Sequence, residues 1–142
     1  IQPENLILYD FDPRQLKEFR QDILEKLVPI ASKIEPDLVF LPTLHDIHQD
    51  HQVIAEEGLR AFKNTSILAY ELPWNNLTFN TAGFIRLESE QIEKKIEALN
   101  AYVSQKHRTY LNANFIRSLA TTRGVQINTT FAEAFEVVRW VI

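Results

Sequence analysis

The segment that most constrains this chain is Asp37-Leu-Val-Phe-Leu-Pro42, a continuous apolar run bounded by turn residues. An apolar run without alternation suits a strand covered on both faces, as strands of parallel sheets are. The polar stretch Thr43–Gln49 follows. A helical spacing then starts near Asp50 and continues through Val53, Ile54, Leu59, Ala61 and Phe62, despite Gly58. Ser66–Glu71 reads as a second strand. Strand, helix, strand in this order predicts a βαβ unit with a right-handed crossover, and so an α/β fold.

The flanks extend this unit without repeats, low-complexity tracts or an interdomain linker. Asn5–Tyr9 is a short apolar run that reads as a strand. Asp12-Pro13 predicts a helix start, with Asp12 as N-cap and Pro13 where a missing N–H costs nothing. Leu16, Phe19, Ile23, Leu27, Ile30 and Ile34 keep helical spacing. Pro29 should kink that helix or end it early, and Pro36 closes the segment. Residues 72–83 read as an irregular loop and Phe84–Leu87 as a short strand. Ser89 caps an amphipathic helix with Ile92, Ile96, Leu99 and Val103 inward and Lys94 and Lys95 outward. A last helix covers Asn112–Thr122 and stops at Gly124 as a left-handed terminator. Phe131–Ile142 docks as a helix turn or a strand. The expectation is one α/β domain over residues 1–142, with Ile92, Ile96, Leu99, Phe115, Phe131 and Phe135 in its core.

Composition excludes several classes of function. Hydrophobic residues are 45% and charged residues 24%, an ordinary globular balance. A net charge of -4 offers no basic stripe for nucleic acid. No apolar run approaches the ~20 residues of a membrane span, and Ile1–Asp12 lacks the pattern of a signal peptide, so a cytoplasmic setting is expected. The chain has no cysteine, so any metal must be held by His, Asp or Glu. Three glycines leave no Gly-rich phosphate loop. An initial Ile suits a segment of a longer protein, whereas the absence of Met has no physical reading.

Three of the four histidines fall in His45-Asp46-Ile47-His48-Gln49-Asp50-His51, where the buried strand hands over to the helix. Sites in open α/β sheets gather at the carboxyl ends of strands. Imidazole is a common zinc ligand, and a carboxylate can bind the metal or orient a ligand histidine. The competing reading is a solvated turn with Asp50 capping the next helix.

Pro36-Asp-Leu-Val-Phe, followed by Asp46-x-His48-x-Asp50-His51, resembles the second signature of the PIG-L/LmbE family of N-acetylglucosaminyl deacetylases. The likeness continues through Tyr70-Glu71, Lys95-Ile-Glu-Ala-Leu with Ser104-Gln105, and Ala132-Glu-Ala-Phe-Glu136. It implies a Rossmann-like layered fold with a mostly parallel sheet, incomplete at the N-terminus, and hydrolysis of the acetamide of an N-acetylated amino sugar. His51 would be a zinc ligand. His48 would stabilise the tetrahedral intermediate or protonate the leaving amine. Asp50 would hold the His48 tautomer, and Asp46 would be a neighbouring structural or substrate-side acid. The family's first signature, a His-Pro-Asp-Asp-Glu block supplying the other zinc ligands and a general base, is absent from this chain. The sequence does not identify any of His45, Asp46 or His107 as its replacement. The resemblance therefore implies Zn2+ in the intact protein and an inactive segment alone. A non-catalytic remnant or binding module that keeps the fold is the alternative.

Other residues carry two readings each. His45 is a metal or substrate contact or an exposed polar group. His107 is a site residue or a cation near a helix C-terminus. Glu71 points into the site or forms a salt bridge. Trp74, Asn75 and Asn76 meet a sugar, or Trp74 packs in the core. Arg139 has no assigned role. If early strands of the fold are missing, an apolar sheet edge or face should be exposed, favouring homo-oligomers or a longer folded protein.

Overall fold

A computed structural model describes residues 2–103 and 108–142. Its frame is a four-stranded sheet in the order β1-β2-β4-β3, formed by β1 (Leu38–Pro42), β2 (Ser66–Tyr70), β3 (Gly83–Leu87) and β4 (Phe131–Arg139). β1 and β2 run parallel, with Leu38 beside Ser66 and Pro42 beside Tyr70, and helix α2 (Gln49–Ala61) joins them. This is the expected strand, helix, strand unit.

The sheet is mixed, which corrects the expectation of a mostly parallel one. β4 runs antiparallel to both β2 and β3. The cause is the number of helices between strands. One helix separates β1 from β2, whereas α3 (Ser89–Asn100) and α4 (Ala113–Gln126) both intervene between β3 and β4. The extra helix sends the chain back in the opposite sense.

Two cores hold the layers. Leu41 and Ile67 from the sheet join Phe62, with Leu27 and Ala31 of α1 (Arg20–Ile34) and Leu59 of α2 packed against them. Ile92 and Ile96 of α3 meet Ile116 and Ala120 of α4, with Leu87 and Phe131 alongside. Gly58 lets α2 approach β1, since a Cβ there would come within 2.6 Å of the Leu41 side chain. That approach offsets the ~1 kcal/mol a glycine costs inside a helix. Fully buried Glu57 ties α1 to α2 by accepting from Arg20 and Arg60, each at 2.6 Å.

Several boundaries differ from expectation, each for a local reason. Asn5–Tyr9 is not a strand. Pro3–Asn5 is a short 3-10 helix, and Leu6, Ile7 and Leu8 are exposed, with no ladder partner among the described strands. Asp12 begins a turn, its carbonyl accepting from Gln15, and α1 starts only at Arg20 after a 3-10 turn. Pro29 lies within α1 without ending it, and the helix closes at Glu35 in left-handed conformation. The proline after Glu35 disfavours a further helical residue there. Glu88, not Ser89, caps α3, because its side chain and that of Gln91 satisfy each other's backbone N–H groups. α3 stops at Asn100, so Val103 is exposed rather than inward. α4 passes through Gly124, and the left-handed residue is Asn128 (φ 55).

Leu38 and Phe40 of β1 turn away from the α1/α2 side and are exposed, as is Val137 of β4. An apolar surface is therefore present at the β1 end of the sheet, as expected. Among the described residues no helix is long and apolar enough to cross a membrane.

Candidate active site

The chain leaves β1 at Pro42 and turns through Thr43–His48 before α2 begins. Asp46 organises that turn. It is fully buried, and its N–H donates to the Thr43 carbonyl at 3.2 Å. One carboxylate oxygen accepts the His48 backbone N–H at 2.8 Å, and the other lies 2.7 Å from His51 Nδ1. The Asp46 carbonyl takes the Gln52 amide at 2.7 Å, and a backbone bridge joins Asp46 to Asn76. His48 and His51 therefore stand at the carboxyl end of β1.

The partners determine how the two imidazoles are protonated. His48 is the N-cap of α2, and its Nδ1 faces the Asp50 backbone N–H at 3.2 Å. A backbone N–H only donates, so His48 Nδ1 accepts and Nε2 carries the proton of the neutral ring. A carboxylate only accepts, so His51 Nδ1 donates to Asp46 and Nε2 keeps its lone pair. The rings stack at 4.5 Å between centroids, 25° from parallel. One ring thus presents a donor and its neighbour an acceptor.

Asp50 does not hold His48 in the expected way. Its backbone N–H, not its carboxylate, contacts the ring. The carboxylate accepts the Arg14 N–H at 2.7 Å through Oδ2, and Oδ1 is buried without a partner. Arg14 is in left-handed conformation (φ 67), which brings its amide to the start of α2.

The ambiguous residues divide clearly. His45 is exposed, with its backbone N–H on Thr43 Oγ1 at 3.3 Å. Glu71 forms a salt bridge, its Oε2 2.9 Å from Arg123 Nε. Trp74 is 65% exposed, outside the core, and tilts against Tyr110 at 5.7 Å. Asn75 Nδ2 lies 3.4 Å from His51 Nδ1, a nitrogen already donating to Asp46. Arg139 donates to the Phe62 carbonyl at the end of α2. His107 and Ser104-Gln105 lie outside the described residues.

Two groups near the turn carry roles that spacing does not reveal. The Thr43 hydroxyl donates to Glu136, which also accepts the Asn80 N–H at 2.9 Å, tying the end of β1 to β4. Tyr70 holds its phenol proton more tightly than usual, first because burial disfavours the phenolate and then because Asp46 adds repulsion. His51 fits one position of a metal site, since its second nitrogen is held by a buried carboxylate as ligand histidines usually are. Among the described residues no three His, Asp or Glu side chains converge to complete such a site.

The α/β fold is shared with part of several solved structures, two of them deacetylases. The chain is similar to teicoplanin deacetylase Orf2 in its zinc-inhibited form, with a TM-score of 0.69 and 20% identity over 95% of this chain and 57% of that one. It is also similar to the N,N'-diacetylchitobiose deacetylase of Pyrococcus horikoshii, with a TM-score of 0.64 and 20% identity over 91% and 55%. The conserved protein TT1542 of Thermus thermophilus aligns with a TM-score of 0.71 and 19% identity over 85% and 60%. The chain thus spans somewhat more than half the length of these structures. No family model matches it.

Proposed function

We propose that this chain is the C-terminal part of a zinc-dependent de-N-acetylase of the PIG-L/LmbE type, which removes acetyl from an N-acetylated amino sugar and releases acetate and a free amine. The observation that carries the reading is the Asp46–His51 pair beside His48, one ring offering a lone pair and the other an N–H. The deacetylase neighbours support it at the level of fold.

In the intact protein His51 Nε2 would serve as one metal ligand, oriented by Asp46. Zinc, when bound, would lower the pKa of water far enough to make it a nucleophile near neutrality and would polarise the acetamide carbonyl. His48 would direct its Nε2–H to the oxygen that gains charge as the carbonyl becomes tetrahedral. Asp50 seats the His48 ring through its backbone N–H. A catalytic zinc needs three protein ligands and an open position. One imidazole does not supply them, so residues 1–142 alone are inactive in this reading.

Zinc content and acetate release from an N-acetylglucosaminide, measured on the intact protein, test the proposal. His51→Ala should lose metal and activity together. His48→Ala should keep the metal and lose ~10²–10³ in turnover, as when one oxyanion donor is removed. Loss of metal in His48→Ala alone would reverse the roles. Parent-like behaviour of both variants would reduce the cluster to a turn and favour a non-catalytic binding module.

A further inference from the structure

A cavity of about 400 Å³ is lined by His51, by residues 71–75 after β2, by Tyr110 and Leu111 before α4, and by α3, α4 and the sheet. Ile92, Leu99, Leu111, Phe115, Ile116 and Leu119 are among its apolar lining. Its four charged side chains are matched in pairs, Glu71 with Arg123 and Lys95 with Glu133. A sugar hydroxyl moved among these mostly apolar walls would lose water for few partners, an unfavourable exchange. An apolar group would gain from the same move, and the volume lies within the usual range for small-molecule sites.

We infer that the substrate is an amino sugar carrying an apolar aglycone, which lodges in this cavity while the sugar remains at its edge. The inference rests on the de-N-acetylase reading above. The acetamide is committed to His48 and His51, and an acetyl methyl is far too small to fill the space. What reaches the cavity is therefore another substituent of the sugar. Trp74 and Tyr110 both line the cavity, and exposed Trp74 offers an aromatic surface for the apolar face of the ring.

Calorimetric binding of the methyl, butyl and hexyl glycosides of N-acetylglucosamine to the intact protein tests the inference. Affinity should rise about fourfold for each methylene that enters the cavity. Leu119→Trp fills the space and should remove this gain while leaving the methyl glycoside unaffected. Leu119→Gln, similar in volume, should weaken the gain if the Trp variant does not fold. Equal affinity for all three glycosides overturns the inference. So does a gain that follows the length of the N-acyl chain instead, or a preference for chitobiose over the hexyl glycoside. Flat binding with acetate release by the metal-loaded protein removes only the aglycone site. Chain-length-dependent binding without acetate release keeps the site and removes the de-N-acetylase reading.

Discussion

The buried carboxylate of Asp46 lies 2.7 Å from His51 Nδ1, leaving Nε2 as the ring's outward lone pair. Asp46→Asn can turn an N–H toward Nδ1, reverse the tautomer and remove that lone pair. Zinc affinity of the intact protein should fall ~10–100-fold, the usual effect of losing such a supporting group. A competition titration against a zinc chelator measures it, and unchanged affinity would separate Asp46 from metal binding.

Asp50→Asn should behave differently. The backbone N–H on His48 Nδ1 is untouched, and an amide oxygen can still accept from Arg14. Turnover should stay close to the parent's, with zinc retained. A loss as large as that of His48→Ala would show that the carboxylate itself acts on the ring.

These paired outcomes mark how far the sequence was legible. The Leu38–Tyr70 unit could be read because its strands and helix are local and each carries its own pattern. His48 and His51 followed, since they sit where that pattern breaks. The side-chain directions did not follow. Asp46 and Asp50 both flank the histidines, and only the turn geometry shows that Asp46 faces His51 while Asp50 faces Arg14. The reversed β4 was also hidden, because strand partners are chosen by contacts distant in sequence. Glu57 gave no sign of burial, as its two arginine partners lie on different elements or turns.

Gly124 is needed for proximity rather than for left-handed backbone. A Cβ there would lie 2.6 Å from the Thr129 carbonyl oxygen and 2.7 Å from that of Thr130. Backbone cannot swing aside as a side chain can, so Gly124→Ala should cost ~1–3 kcal/mol. Thermal melting should fall by several degrees. Asn128→Gly, at the left-handed residue, should be nearly neutral. Equal melting of parent and Gly124→Ala would mean that the α4–β4 turn relaxes freely.

Tyr70 gives a pH dependence with a definite sign. Its folded pKa is raised, by burial first and Asp46 second. The stability linked to this group is fully present below the unfolded value of ~10 and is lost as pH rises through the folded one. Phenolate absorbance of the parent should show a step above ordinary tyrosine that is missing in Tyr70→Phe. The variant should also lose less stability in alkali. A step common to both proteins would refute the assignment.

Leu38, Phe40 and Val137 form an exposed apolar surface at the β1 end of the sheet. The 142-residue chain should therefore associate as its concentration rises. Leu38→Lys with Val137→Lys should shift it toward monomer in sedimentation, without changing its circular dichroism. Concentration-independent sedimentation of the parent would remove this surface as the cause.

β4 follows the other three strands in the chain, yet sits between β2 and β3. During synthesis β3 and α3 emerge before the strand that joins them to β1 and β2 exists. The early half can gather locally, but the later half must wait, and pairings between distant segments form slowly. The interval leaves a bare strand edge on β2 and another on β3. Such edges are where a nascent chain is most open to wrong partners, and Phe131–Arg139 is the segment whose arrival covers both of them.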